Sequence, residues 1–369
     1  MSTATIGIRI RALREKQGFS QEDLAQRFGF KDRQTLSAIE TGDRRVTAEE
    51  LVRAVELFGV QLDYFTDPFL LVGEGRFSWR QSGLVGRALA DYEVDAGRFI
   101  AAFRTLAPQI GRETPLLRRT LALTSQSSFD NAAAAGERFA LEFKLGEIPA
   151  ITLADTMERE LGILVLMVDA INGISGAACR LPELDVVLIN RREIPGRRHF
   201  DLAHELFHIL TWDAMPPEHV EDVAPKRRTR VEQLADNFAS ALLMPASVLD
   251  RYGDWSGLKG DDLIKRLNAA ADELRVSSSA LRWRLVDLKR LDRSTAAAIR
   301  EDKLRNNGRT KPEKEPLPPL FSKTFISVIA RAVDEGRVAV RRVSYLLGLA
   351  IDELADLFRA HGVDAPYDL

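Results

Sequence analysis

One short stretch constrains this chain more than any other. "HFDLAHELFHIL", residues 199–210, carries three of the five histidines. His204 and His208 stand four apart, with Glu205 next to the first. On a helix, residues four apart lie one turn above each other, so both imidazoles can reach one ion. Glu205 is then rotated by about a quarter turn, beside that ion. Zinc at such a site lowers the pKa of a bound water, and the neighbouring carboxylate accepts the proton as the water attacks a carbonyl. The alternative is a five-residue pattern arising by chance on an ordinary amphipathic helix. Leu202, Leu206, Phe207, Ile209 and Leu210 make the segment apolar, and two unpaired histidines buried there would be costly. The metal reading is therefore favoured.

A catalytic zinc needs a third ligand and an open fourth position. Cys179 is the only cysteine, so neither an intrachain disulfide nor a thiolate zinc site is available. The next long helical pattern, "VEQLADNFASALLM", offers Glu232 and, four residues on, Asp236 on the same face. Glu232 is the ligand candidate. Asp236 is the candidate for a carboxylate that orients a ligand imidazole through its other nitrogen. The spacing alone also permits the reverse. Two imidazoles and a carboxylate suit zinc best, while manganese or iron(II) can occupy such sites.

The rest of the chain reads as mostly α with a small β-sheet, an α+β class. At 369 residues it exceeds one typical domain. Residues 1–68 hold five short helical patterns: Ser20 and Asp23 open the second, Gly29 and Gly42 stop the second and third, and Thr47 and Glu50 form a capping box. Residues 69–134 form a helical connector, and the wider region 78–145 reads as helices with little chemistry. Residues 135–295 hold the histidine helix beside short strands at "ILVLMVD", "GISGAACRL" and "DVVLIN". Residues 296–320 form a linker rich in proline and charge toward its end, and 321–369 a last helical unit. The net charge of −2 carries no overall basic field, so any nucleic-acid surface is local. The N-terminus lacks the apolar core of a signal peptide, and the longest apolar run is too short to span a bilayer. These point to a cytoplasmic protein without membrane association.

"RRHFDLAHELFHIL" followed by "EQLADNFASALLMP" resembles the ImmA/IrrE family of metallopeptidases. Ala203 to His208 match its first motif. Glu232, Ala235, Asp236, Phe238 and Ala239, then Leu243, Met244 and Pro245, match its second. The resemblance covers about 135–290 and implies a zincin-like domain of the gluzincin kind. It implies zinc ligands at His204, His208 and Glu232, with Glu205 as general base. The chain departs from the family at Phe207, where glycine is common; a bulky ring there could narrow the cleft. His199, five residues upstream, is a packing or surface histidine, or one that polarises a substrate carbonyl or holds its loop.

"SQEDLAQRFGF" leading into "DRQTLSAIETG" resembles the XRE-type helix-turn-helix of phage repressors. That implies a third helix entering the major groove of operator DNA, with Arg33, Gln34, Thr35 and Ser37 toward base edges and Gln21 near a phosphate. Arg44 and Arg45, just beyond, suit phosphates. The segment between Gly29 and Ile39 is one residue longer than usual. "ADELRVSSSALRWRL" has a similar rhythm, but the ImmA/IrrE resemblance makes it part of the domain scaffold.

Together these features predict a homodimeric DNA-binding transcriptional regulator with a zinc-dependent endopeptidase domain. Its substrate would be a specific repressor- or antitoxin-like protein encoded nearby, or the chain itself, in stress or mobile-element response. The alternative is a non-enzymatic regulator or antitoxin whose zinc domain senses or only stabilises. A peptidase of broad specificity has little use for an operator reader.

Overall fold

The computed structural model describes residues 3–81, 86–112, 118–222, 229–305 and 316–367. In chain order come α1 (Thr3–Lys16), α2 (Gln21–Phe28), α3 (Arg33–Thr41), α4 (Ala48–Phe58), α5 (Asp63–Thr66), β1 (Arg76–Gln81), α6 (Gly86–Gln109), α7 (Phe129–Glu142) and α8 (Pro149–Glu160). Three strands follow, β2 (Leu164–Val168), β3 (Ile174–Arg180) and β4 (Asp185–Asn190), then α9 (Pro195–Thr211) and β5 (Val220–Asp222). The remainder is helical: α10 (Arg230–Leu243), α11 (Ala246–Leu249), α12 (Gly260–Leu274), α13 (Ser278–Asp287), α14 (Arg293–Ala297), α15 (Lys323–Asp334), α16 (Val340–Leu347) and α17 (Ile351–Ala360). The fold is mostly helical with one small mixed sheet.

The chain forms two compact units. The first gathers Met1–Arg76, Gly86–Glu113 and Ser327–Leu369, and the second Phe77–Val85 and Thr114–Ile326. In the first, local chemistry sets the helix ends. Ser20 accepts from Asp23 N while Asp23 reaches back to Ser20 N, and Thr47 and Glu50 repeat that reciprocal cap. Gly29 and Gly42 end α2 and α3 in the left-handed region, at φ 71° and 84°. Ile10, Leu24, Phe28, Leu36, Ile39 and Phe65 fill the core. Arg9, fully buried, ties the unit together by donating to the carbonyls of Tyr64, Asp67 and Leu70 and pairing with Glu74. A buried guanidinium is tolerable only with such partners.

The second unit is built on the sheet β2-β4-β3-β1-β5. β4 runs parallel to β2, with Val187 opposite Val165, and antiparallel to β3, with Ile189 opposite Gly176. β5 pairs parallel to β1. β3 and β4 are buried along their whole length, which is why "DVVLIN" shows no polar alternation. The presence of β1 corrects the expectation of helices throughout 78–145. "RFSWRQ" is too short and too polar to stand out, yet Trp79 is fully buried and its N–H bonds the carbonyl of His219. The linker expected at 296–320 does not hold for its first residues. Ala296, Ile299 and Leu304 are buried in this unit's core, and residues 306–315 lie outside the described residues. So does most of the basic run at 226–230. Arg282 and Arg284 of α13 are buried: Arg282 bonds the carbonyls of Ala296 and Ile299, and Arg284 that of Met244. They serve as scaffold.

α7 and α10 approach so closely that only glycine fits at position 136. A Cβ there would meet the carbonyl oxygen of Phe238 at 2.3 Å and the amide nitrogen of Leu242 at 2.9 Å. Phe238 then packs edge-on to Phe139 and against Phe207 of α9, with ring centroids 6.2 and 5.5 Å apart. This contact seats α10 against α9. Gly136→Ala must push α10 outward. We expect urea unfolding to report a loss of about 1–3 kcal/mol, the usual cost of overpacking.

Candidate metal centre

α9 begins with Pro195 in its first turn and is buried continuously from Asp201 to Thr211. His204, Glu205 and His208 have no solvent exposure. α10 begins at the Thr229 cap, whose hydroxyl accepts from Glu232 N, so Glu232 sits in the first turn facing α9. The two helices bring His204, His208 and Glu232 together, with one donor atom from each lying within 4.8 Å of the others. His204 Nε2 and His208 Nε2 are 3.1 Å apart. Glu232 Oε2 lies 3.2 Å from the first and Oε1 3.2 Å from the second. Tetrahedral zinc with bonds of 2.0–2.1 Å separates its ligand atoms by about 3.3 Å. The donor set therefore fits a divalent metal: two imidazole nitrogens and a carboxylate, converging and dehydrated.

Asp236, one turn along α10, has Oδ1 3.1 Å from His204 Nδ1. That contact places the ring's N–H at Nδ1 and leaves the Nε2 lone pair for the converging side. Glu205 is fully buried on the same helix as the two histidines. Neither of its oxygens has a hydrogen-bond partner. Burial pushes its pKa above the usual carboxylate value, against the pull of His208, His204 and Arg80. Glu232 behaves oppositely: burial pushes it up, but the two imidazoles hold it well below the normal range. β3 crosses beside α9 at Gly176, where a Cβ would lie 3.7 Å from Glu205 Cγ.

Sequence reasoning missed two residues here. Arg80 of β1 is buried with Nη1 2.7 Å from His204 Nε2 and 3.4 Å from Glu232 Oε2. Its Nε forms an ion pair at 3.1 Å with Asp201, itself buried on α9. Asp201 stands inside the quoted motif stretch, but only the fold reveals its partner. Burial and the charge on Arg80 disfavour protonation of His204, yet Glu232 and Asp236 outweigh them and push its pKa up to about 10. The contact with Arg80 requires the neutral ring, since a protonated one would set two N–H donors 2.7 Å apart. The carboxylates favour a positive charge at this spot.

Phe207 does not narrow a cleft. It is fully buried in the core against Phe238 and stands edge-on to His208. His199 Nδ1 contacts the carbonyl of Arg275 at 2.7 Å, tying the start of α9 to the α12–α13 turn.

In the first unit, Arg33 and Gln34 are exposed at the start of α3, and Arg45 is exposed beyond its end. Thr35 is engaged with the Asp32 cap through both its N–H and its hydroxyl. Ser37 is half-buried. Gln21 donates to Glu40 at 2.8 Å, within a buried network that also holds Arg14. Arg44 makes a two-point bond with Glu50. The structure thus leaves Arg33, Gln34 and Arg45 as the open side chains of this set.

Residues 10–65 match the family described as helix-turn-helix, and residues 159–286 match the IrrE N-terminal-like domain. The radiation response metalloprotease IrrE of Deinococcus deserti is 35% identical over 97 residues, 24% of this chain and 34% of that protein. Its namesake in Deinococcus radiodurans is 36% identical over 97 residues, covering 24% and 29%. The chain thus spans about a third of the length of these curated relatives. Along the chain, a helix-turn-helix match is thus followed by an IrrE N-terminal-like match. Among the described residues, no helix is long and apolar enough to cross a membrane.

Two variants separate the roles of the α10 carboxylates. Glu232→Ala is expected to abolish stoichiometric zinc in the purified chain, read by atomic absorption. Asp236→Ala is expected to retain binding but weaken it about 10- to 100-fold, as loss of a partner behind a ligand histidine does.

Proposed function

We propose that this chain is a DNA-binding transcriptional regulator whose second unit is a zinc-dependent endopeptidase of the gluzincin kind. Its zinc ligands are His204, His208 and Glu232. A divalent metal held there supplies Lewis acidity toward a substrate carbonyl and toward water. Glu205 takes and returns the proton. The observation that carries the reading is the state of Glu205: a fully buried carboxylate beside three converging ligands, with no structural partner for either oxygen. A site that only stabilised the fold would gain nothing from that arrangement and would lose stability by it. Burial also raises its pKa toward the working range of a general base.

The substrate is one specific regulatory protein, a repressor or antitoxin-like protein encoded nearby, or the chain itself. The pairing with an operator reader argues for such a narrow target, and the relatives' printed role in radiation response favours a stress setting. The chain acts in the cytoplasm, as a homodimer on operator DNA. The third helix of its reader meets the major groove.

Glu205→Gln is nearly isosteric and cannot accept the proton. It is expected to keep zinc and DNA binding while cleavage of the neighbouring regulator falls by at least ~100-fold, the scale of general-base catalysis. Unchanged activity in every assay would instead support the sensor. On the DNA side, Arg33→Ala and Gln34→Ala are expected to relax operator selectivity by about 1–3 kcal/mol each. Arg45→Ala should weaken binding to all sequences alike and flatten the salt dependence, by about one unit of slope. Gel-shift titrations at several salt concentrations distinguish the two.

A further inference from the structure

The metal-site side chain that no family match covers is Arg80. It lies on β1, far outside the 159–286 match. It is 4% exposed, and its guanidinium faces two of the three candidate ligands. With Asp236 on Nδ1 of His204, the ring has one lone pair left, at Nε2. Arg80 Nη1 approaches that atom at 2.7 Å. A metal ion needs the same lone pair. The two cations cannot both have it.

The surroundings give the guanidinium somewhere to go. Asp201 Oδ1 holds its Nε edge in an ion pair at 3.1 Å, and Asp236 Oδ1 lies 4.0 Å from Nη2. Asp201 Oδ2 is buried and makes no hydrogen bond, with Arg197 Nε in a looser ion pair at 3.7 Å, and Arg80 Nε makes no hydrogen bond either. A small rotation about the side chain would exchange the contact with His204 for a two-point bond to Asp201, the arrangement arginine and carboxylate favour. An arginine placed only to neutralise Asp201 would already sit in that two-point geometry.

We propose that Arg80 is an internal cation that holds His204 and Glu232 in the metal-free chain and withdraws toward Asp201 when a metal enters, so that metal affinity is set by competition with this side chain. The inference rests on the metal-centre reading above. Without a cation, two imidazole lone pairs and a carboxylate would face one another in a buried site, an arrangement disfavoured by the unpaired charge. Arg80 removes that cost while the metal is absent, and in doing so makes the metal bind less tightly.

The test is a zinc titration of the full chain, stripped with chelator and read by competition with a chromogenic zinc chelator, next to metal-free thermal unfolding. Arg80→Lys keeps a charge for Asp201 on a shorter reach. Arg80→Met combined with Asp201→Asn removes the buried pair together, so that neither charge is stranded. Both are expected to bind zinc about tenfold more tightly or better than the parent. Both are also expected to show a larger zinc-induced rise in Tm, since the metal-free state has lost its cation. Zinc binding equal to or weaker than the parent's in folded protein would overturn the proposal and leave Arg80 a structural partner of Asp201. Failure of both variants to fold, even with zinc present, would overturn it too, because an arginine indispensable to the fold is not one that yields to a metal. A parent that binds no zinc, or a Glu232→Ala variant that binds it as well as the parent, would remove the metal centre itself.

Discussion

The second unit depends on one electrostatic demand: a buried site that must contain a positive charge. His204, His208 and Glu232 converge within 4.8 Å, and Asp236 and Asp201 add two more carboxylates around them. In a low-dielectric interior such a cluster is stable only when a cation answers it. The packing around it exists to keep that cluster closed. Phe207 of α9 packs against Phe238 of α10, and Gly136 lets α7 lie close against α10.

The first unit solves a similar problem with fixed charges. Arg9 and Arg14 are taken out of water, but each meets acceptors in a fixed geometry: backbone carbonyls and Glu74 for the former, Glu40 for the latter. Gln21 joins the second network. The chemistry of Arg9 and Arg14 goes into holding the first unit together. What remains open at the start of α3 is a short polar edge, Arg33 and Gln34.

Much of the site was legible because helical geometry is local. His204, Glu205 and His208 lie on a single helix, so their relation follows from a 3.6-residue period. Glu232 and Asp236 share one face of a second helix, but which of them converges with both histidines and which backs His204 at Nδ1 was decided by how α10 packs on α9. Caps were legible for the same reason: Ser20, Thr47, Gly29 and Gly42 act on backbone groups two to four residues away. The strand at Arg76–Gln81 was not legible. A strand's identity rests on the neighbours it pairs with, and those are β3 and β5, about a hundred residues or more further along the chain. The same holds for Phe207, whose bulk suggested a narrowed cleft until its ring was found in the core.

The sequence by itself determined the helices, their ends, the mostly helical class and the two short motifs that carry ligand chemistry, because each of these is decided within one or two turns of chain. Tertiary structure alone decided that Arg80 reaches His204, that Asp201 stands beside it, and that Gln21 and Arg44 are held by Glu40 and Glu50. The reason is physical. A charged side chain finds its partner through space, and the desolvation that makes that partner matter exists only once the chain has closed around it.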